Sequence, residues 1–180
     1  MNHVLSPRRF AAVAAALYAF GVLPARAAAP AALVPADGPA IGSQAPGFTL
    51  ADTQGKHVSS ADYRGQILVL NFWAFWCDTW KAETPQLREL APRQDELGFR
   101  LVAVSVDGAR LPEFQRSAHG GVPFPVLLDD QKQVSAQYHI AHVPTVVIVD
   151  RAGKVRYTAR AYPGNYAILA ELRKIASTGG

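Results

Sequence analysis

The sequence of residues 67–85 is ILVLNFWAFWCDTWKAETP, and this stretch decides the fold of the chain. Its apolar beginning, Ile67 to Ala74, is typical of a strand that is buried on both faces of a sheet. The strand continues without a Gly or Pro break into Trp76-Cys77 and then into a segment with helical spacing. Cys77, the only cysteine of the chain, is therefore predicted at a strand-to-helix junction, where helix-terminal amides can stabilise a thiolate.

Residues 1–27 are predicted to be a signal peptide. Arg8 and Arg9 precede an apolar stretch from Phe10 to Leu23, and Ala25-Arg26-Ala27 offers a cleavage site of small residues. The apolar stretch is too short to span a bilayer comfortably, so an uncleaved anchor is the less favoured interpretation. We therefore expect an exported, periplasmic protein, with Sec and twin-arginine export both left open.

The remainder of the chain is predicted to be an Ala/Pro-rich linker, residues 28–40, and one domain, residues 41–177. Three of the 18 Lys and Arg residues lie in the predicted signal peptide, whereas all 14 Asp and Glu residues lie after it. The mature chain then carries 15 basic and 14 acidic residues, a net charge of +1. This balance argues against nucleic acid as a partner and against a membrane contact beyond the export signal.

Strand and helix patterns alternate through the predicted domain. A hairpin is predicted over residues 48–58, and a helix from Asp78 to about Leu97 that is capped by Gly98. Pro85 is expected either to kink this helix or to mark where a short first turn meets the main helix. The further predicted strands are residues 101–106, 124–129, 145–149 and 155–160, and the further predicted helices are residues 111–118, 132–138 and 166–176. This succession indicates an α/β fold, a mixed sheet covered by helices on both faces.

Several motifs of the domain occur together. They are Asn71 to Cys77 followed by Ala82-Glu83-Thr84-Pro85, Gly47 to Leu50 with Gly65 to Asn71, the segment 122–138, and Val143-Pro144-Thr145 with Gly153-Lys154-Val155. The combination resembles exported thioredoxin-like proteins of the TlpA/ResA/DsbE type, which are thiol-disulfide oxidoreductases of the redoxin family. The resemblance implies a thioredoxin-like fold over residues 41–176, with an N-terminal hairpin and a central insertion.

The same resemblance implies roles for individual residues. Cys77 would be the attacking thiol, and Glu83 would relay protons as that thiol attacks or leaves. Pro144 would be a cis-proline that packs against the thiol and leaves the backbone at Val143 free to pair with a partner chain. Trp76 and Trp80 are further candidate contacts to a substrate or partner. The expected partner is a cysteine-containing protein or a small thiol, and no cofactor is implied.

The family's second cysteine is missing, because Trp80 stands at its position. A dithiol cycle within this chain is therefore impossible, and a mixed disulfide at Cys77 needs another molecule to resolve it. Asp78 also places a like charge beside the thiolate, which opposes the effect of the helix terminus. Trp80 itself either fills the space of the lost cysteine or covers Cys77 as a lid, and the sequence leaves both open.

Each candidate residue also has a purely structural interpretation. Cys77 could be a buried, inert residue, and Glu83 could be one more solvated carboxylate on a helix. His139 and His142 lie near the proposed cis-proline, so a copper or zinc site with Cys77 is conceivable, but we predict no metal site.

Three functions compete at this point. The leading hypothesis is an exported oxidoreductase that acts through one cysteine, which should react with thiol probes well below pH 8. The alternative is a redox-inactive thioredoxin fold that serves as a binding or assembly module. A one-cysteine peroxidase is less favoured, because residues 72–76 lack the hydroxyl that precedes the cysteine of peroxiredoxins in Pro-x-x-x-Thr-x-x-Cys.

Overall fold

The computed structural model describes residues 38–108 and 121–178. In it, the apolar run around Val69 forms an inner strand of a mixed sheet. The predicted signal peptide, most of the predicted linker and the predicted helix at residues 111–118 lie outside the described residues.

The strands and helices of the described residues are short and alternate along the chain. The strands are β1 (Thr49–Asp52), β2 (His57–Ser59), β3 (Ile67–Trp73), β4 (Phe99–Ser105), β5 (Val126–Leu128), β6 (Thr145–Val149) and β7 (Val155–Arg160). The α-helices are α1 (Trp80–Leu90), α2 (Gln94–Leu97), α3 (Gln133–Gln137) and α4 (Asn165–Ser177), with 3₁₀ turns at Ser60–Tyr63 and Ala91–Arg93.

Within the described residues the sheet has seven strands in the order β2-β1-β5-β4-β3-β6-β7. Strand β4 runs parallel to both of its neighbours, β3 and β5, whereas the hairpins β1–β2 and β6–β7 are antiparallel. Strand β3 also pairs antiparallel with β6, and Phe72 lies opposite Thr145. The end of β3 and the loop before β6 are therefore neighbours, which brings the segments around Cys77 and Pro144 together.

Both faces of the sheet are covered, as the sequence predicts. All seven residues of β3 are buried, and alternate side chains enter two separate cores. Val69 and Trp73 pack in one core with residues of α1 and α4, while Leu70 and Phe72 pack in the other with Tyr138 at the end of α3. The α/β prediction is confirmed, with a mixed sheet between two helical layers.

The predicted helix over Asp78–Leu97 is wrong in its start and in its continuity. Helix α1 begins at Trp80 and continues through Pro85, and the chain leaves the α-helical form only at Ala91–Arg93, where Pro92 lies. A proline crowds the carbonyl four residues before it and removes one backbone donor. For Pro85 that carbonyl belongs to the exposed Lys81 in the first turn, where water can reach it. The predicted cap is confirmed, because Gly98 ends α2 with a φ of 64°.

No helix within residues 38–108 and 121–178 combines the length and the apolar character needed to cross a membrane.

Candidate active site

Cys77 lies in the turn that joins β3 to α1. The turn is held by backbone hydrogen bonds from Cys77 N to Ala74 O, 3.2 Å, and from Trp80 N to Cys77 O, 3.3 Å. Its beginning is fixed by the amide of Phe75, which donates to Asp107 Oδ2 over 2.7 Å. The side chain of Asp107, just after the end of β4, thus anchors the turn that carries the cysteine.

The Cys77 side chain is half-buried and faces the loop before β6. Its sulfur lies 3.7 Å from the carbonyl oxygen of Val143 and 3.1 Å from Thr79 Oγ1. The peptide bond between Val143 and Pro144 is cis, as the resemblance predicts. The structure therefore brings Cys77, Val143 and Pro144 together, as proposed from the sequence.

Trp80 is buried, with 5% of its surface exposed, and belongs to the core between the sheet and α1. Its ring lies 5.3 Å from that of Phe75 and 6.0 Å from that of Trp73, and its Nε1 donates to Phe75 O over 3.2 Å. Cys77 packs instead against the core on the opposite face of the sheet. These contacts favour the space-filling interpretation of Trp80 over the lid.

Trp76, in contrast, is 66% exposed, next to Cys77 in the chain. A large apolar side chain in this position is available to touch an incoming molecule. Of the two tryptophans proposed as contacts, Trp76 is the one that the fold presents at the surface.

Glu83 is buried on α1, with 4% of its surface exposed, so the interpretation as a solvated carboxylate is wrong. Asn71 Nδ2 donates to Glu83 Oε2 over 3.4 Å, and Glu83 Oε1 makes no hydrogen bond to the described residues. Burial raises the pKa of Glu83, while hydrogen bonding from Asn71 partly opposes the shift. A carboxyl group with a raised pKa is a better proton acceptor than an ordinary glutamate.

The charge of Asp78 is paired on the surface. Lys81 Nζ lies 2.7 Å from Asp78 Oδ1, and this hydrogen bond holds the pKa of Asp78 below its ordinary value. The like charge that the sequence places beside Cys77 is therefore partly offset by an ammonium group one turn along α1.

Sequence reasoning missed Thr79, whose hydroxyl is the closest described polar group to the sulfur. It considered only a hydroxyl preceding Cys77 in the peroxiredoxin pattern. The spacing of Thr79 and Glu83 could have drawn attention to Thr79, since residues four apart on a helix lie on the same face. The Asn71–Glu83 hydrogen bond was missed as well, because it joins β3 to α1 and has no local sequence pattern.

His139 and His142 are both exposed. Among the residues that the structure describes, no group of three or more His, Cys, Asp or Glu side chains could hold a metal ion. The structure therefore does not assemble Cys77, His139 and His142 into the copper or zinc site considered above.

Comparison with known proteins identifies relatives in sequence and in structure. The chain is 37% identical over 117 residues to the thiol-disulfide oxidoreductase ResA of Geobacillus thermodenitrificans, a match that covers 65% of this chain and 67% of the relative. It is 36% identical over 114 residues to ResA of Bacillus subtilis, covering 63% of this chain and 64% of the relative. The exposed lipoprotein thioredoxin of Streptococcus pneumoniae superimposes with a TM-score of 0.63 at 27% identity, covering 72% of this chain and 99% of that structure.

A family model described as AhpC/TSA matches residues 41–158 and extends into β7. The matched residues include the sheet strands from β1 onwards, the turn with Cys77 and the loop with Pro144. This match spans more than half of the chain, and the chain therefore belongs to the AhpC/TSA family.

Proposed function

We propose that this chain is an exported, thioredoxin-like thiol oxidoreductase of the TlpA type that acts through Cys77 alone, by mixed-disulfide chemistry. The observation that carries the proposal is the position of the sulfur, half-buried and 3.7 Å from Val143 O beside Pro144. The relatives named thiol-disulfide oxidoreductases support thiol-disulfide exchange as the type of reaction.

The reaction consists of two exchanges. The Cys77 thiolate attacks a disulfide R–S–S–R′, the bond between Cys77 and R forms, and R′–S⁻ leaves. Because Cys77 is the only cysteine, a thiolate from a second molecule must then attack the mixed disulfide. That attack returns the Cys77 thiolate and releases R in a new disulfide. Each step replaces one disulfide with another, so the cycle needs only a disulfide and a thiol.

The surrounding residues have separate roles in this proposal. The backbone at Val143 and Pro144 receives the chain that carries the attacked disulfide, and the exposed Trp76 contacts the same partner. Trp80 supports the turn from inside the core, and Glu83 exchanges the proton of the thiol. The partner is a cysteine-containing protein or a small thiol, and the reaction takes place after export, once residues 1–27 have been removed.

The proposal is tested by mixing the reduced, purified protein with oxidised glutathione and a peptide thiol. We expect a glutathione adduct on Cys77, detected by mass spectrometry, and an exchange rate above that of a free cysteine peptide at the same concentration. Cys77→Ser should abolish both signals. A wild-type rate equal to that of the free peptide contradicts the proposal.

Two other outcomes identify the competing functions. Capture of the same partner proteins by wild type and by Cys77→Ala, without adduct formation, would indicate the redox-inactive binding module. Rapid consumption of hydrogen peroxide with a thiol reductant would indicate the one-cysteine peroxidase. N-terminal sequencing of the protein recovered from the periplasm tests the proposed cleavage near Ala27.

A further inference from the structure

The sulfur of Cys77 lies between a carbonyl oxygen and a hydroxyl group. It is 3.7 Å from Val143 O and 3.1 Å from Thr79 Oγ1, and both contacts have the geometry of hydrogen bonds. The two groups differ in what they can do. A carbonyl oxygen can only accept a hydrogen bond, whereas the hydroxyl of a threonine can donate one as well.

The single proton of the thiol decides the direction of both bonds. Only this proton can serve the Val143 carbonyl group, because that oxygen needs a donor. The Thr79 hydroxyl then faces the electron pairs of the sulfur, so the hydroxyl donates and the sulfur accepts. In the thiolate, which has no proton of its own, the hydroxyl donates in the same direction.

Loss of the thiol proton makes the two contacts unequal. The thiolate and the Val143 carbonyl oxygen are both acceptors, so this contact favours the thiol. The Thr79 hydroxyl donates to a full negative charge instead, and hydrogen bonds to charged groups are the stronger ones. Among the residues that the structure describes, Thr79 supplies the side-chain donor to this sulfur. Its hydroxyl therefore favours the thiolate.

The Thr79 hydroxyl is available for this bond. The buried carboxyl group of Glu83 does not take its proton, because Oε2 accepts from Asn71 and Oε1 makes no hydrogen bond to the described residues. Thr79 precedes α1, where threonine commonly caps a helix, but it makes no side-chain capping bond. It is also exposed, so its methyl group fills no core. Removing the hydroxyl should therefore leave the stability of the fold unchanged.

We propose that the Thr79 hydroxyl stabilises the Cys77 thiolate by donating a hydrogen bond to the sulfur, which makes Thr79 a further catalytic residue. The inference rests on the proposed function. The hydroxyl keeps its proton throughout, and the thiol proton leaves Cys77 before the attack and ends in the solution. An electron pair of the thiolate forms the new S–S bond, and the old bond breaks with its electron pair on the leaving sulfur. When a second thiolate attacks the mixed disulfide, Cys77 leaves as a thiolate and accepts from the same hydroxyl.

Other titratable groups near the turn are a constant background in this comparison. Among the described residues they are Asp78, Lys81 and Glu83 on the turn and α1, Asp107 after β4, and His139 and His142 in the loop before β6. Replacing Thr79 by valine removes no charge and leaves these groups in place. A change in the formation of the thiolate is then caused by the hydroxyl.

The test measures the rate at which iodoacetamide alkylates Cys77 as the pH is varied, a reaction that needs the thiolate but no disulfide exchange. Thr79→Val keeps the shape of the side chain and should raise the midpoint of the pH–rate profile by about 1 unit, a roughly tenfold loss of thiolate at low pH. Thr79→Ala should do the same, and Thr79→Ser should keep the wild-type midpoint. Thr84→Val is the matched control on α1, because the Thr84 hydroxyl donates to Trp80 O, and its midpoint should not change.

Adduct formation with oxidised glutathione separates this inference from the proposed function. Below the wild-type midpoint, Thr79→Val should form the adduct about 3-fold more slowly, because its thiolate is rarer but more nucleophilic. An alkylation midpoint that is unchanged or lower in Thr79→Val, or one that rises equally in Thr79→Ser, would overturn the role of the hydroxyl and leave the proposed function standing. Absence of the adduct in wild type would overturn the proposed function itself. Unfolding midpoints of all variants confirm that each has kept the fold.

Discussion

Replacing Trp80 by cysteine restores the Cys-x-x-Cys spacing and removes a core side chain in one step. Burying a tryptophan withdraws roughly 150–250 Å² from water, and truncating it costs about 3–5 kcal/mol. Trp80 is 5% exposed, contacts the rings of Trp73 and Phe75, and donates to Phe75 O, so we expect a loss within this range. A domain of this size is stable by about 5–15 kcal/mol, so the reduced variant should remain folded but be markedly weakened.

Oxidation of the Trp80→Cys variant should recover part of the lost stability. The bond from Trp80 N to Cys77 O, 3.3 Å, closes a tight turn, and the Cα atoms at the ends of such a turn lie less than about 7 Å apart. Disulfides span Cα separations of about 4.4–6.8 Å, so a bond between Cys77 and the introduced cysteine is within reach. A loop of this length stabilises by about 2 kcal/mol in the chain-entropy model. The oxidised variant should therefore lie between the reduced variant and wild type.

The assay is urea unfolding of Trp80→Cys with and without a reductant. With a urea dependence of about 2 kcal/mol per molar, a loss of about 4 kcal/mol lowers the midpoint by about 2 M. Trp76→Ala is the matched control, because Trp76 is 66% exposed and its loss should change the free energy of unfolding by less than about 1 kcal/mol. A reduced Trp80→Cys protein that unfolds at the wild-type midpoint would refute the assignment of Trp80 to the core.

Two further substitutions test the buried polar groups. Because burial raises the pKa of Glu83, the folded protein binds this proton more tightly than the unfolded chain, so wild-type stability falls as the pH rises from about 4.5 through the raised pKa. Glu83→Gln should remove that fall in stability, which amounts to about 1.4 kcal/mol for each unit by which folding raises the pKa. The measurement is urea unfolding of wild type and variant from pH 4 to 8. Free energies of unfolding that change with pH in the same way in both proteins would contradict this prediction. Tyr138→Phe should cost about 1–2 kcal/mol, because the buried Tyr138 hydroxyl donates to Pro46 O over 2.7 Å, and an unchanged thermal midpoint would show that this bond is dispensable.

Much of the fold was predictable because its signals are local. An apolar run such as β3 can be buried on both faces only inside a covered sheet, and the structure places it there. The strands Thr145–Val149 and Val155–Arg160 have the predicted bounds, since the turn residues between them end one strand and begin the next. The cis bond before Pro144 followed from the resemblance, because local propensity does not choose between the isomers.

The helix after Cys77 shows where local rules fail. Pro85 and Pro92 have the same covalent structure, yet α1 continues through the first and ends just before the second. The outcome depends on which carbonyl each proline crowds and on whether water reaches that carbonyl. The first condition follows from the sequence, whereas the exposure of Lys81 depends on how α1 packs on the sheet.

The resemblance placed Cys77 beside Val143 and Pro144, and the structure brings these three residues together. The sequence could not decide between two directions for Trp80. The Trp80 ring packs against the rings of Trp73, at the end of β3, and of Phe75, at the beginning of the turn, and these contacts are not visible in a local sequence pattern. The contact between Thr79 and the sulfur was equally hidden, because it depends on the rotation of two side chains in one turn.

Glu83 gives the strongest physical argument for the proposed chemistry. A carboxyl group that is 4% exposed with one 3.4 Å hydrogen bond lowers the stability of the fold whenever it is ionised. A glutamine or a leucine would fill the same space on α1 without that cost, so packing alone gives no reason for an acid. A titratable group with a raised pKa close to a nucleophile is typical of active sites. A buried acid on α1 is therefore held at the cost of stability, and a role in proton exchange, as proposed for the half-reaction at Cys77, would account for it.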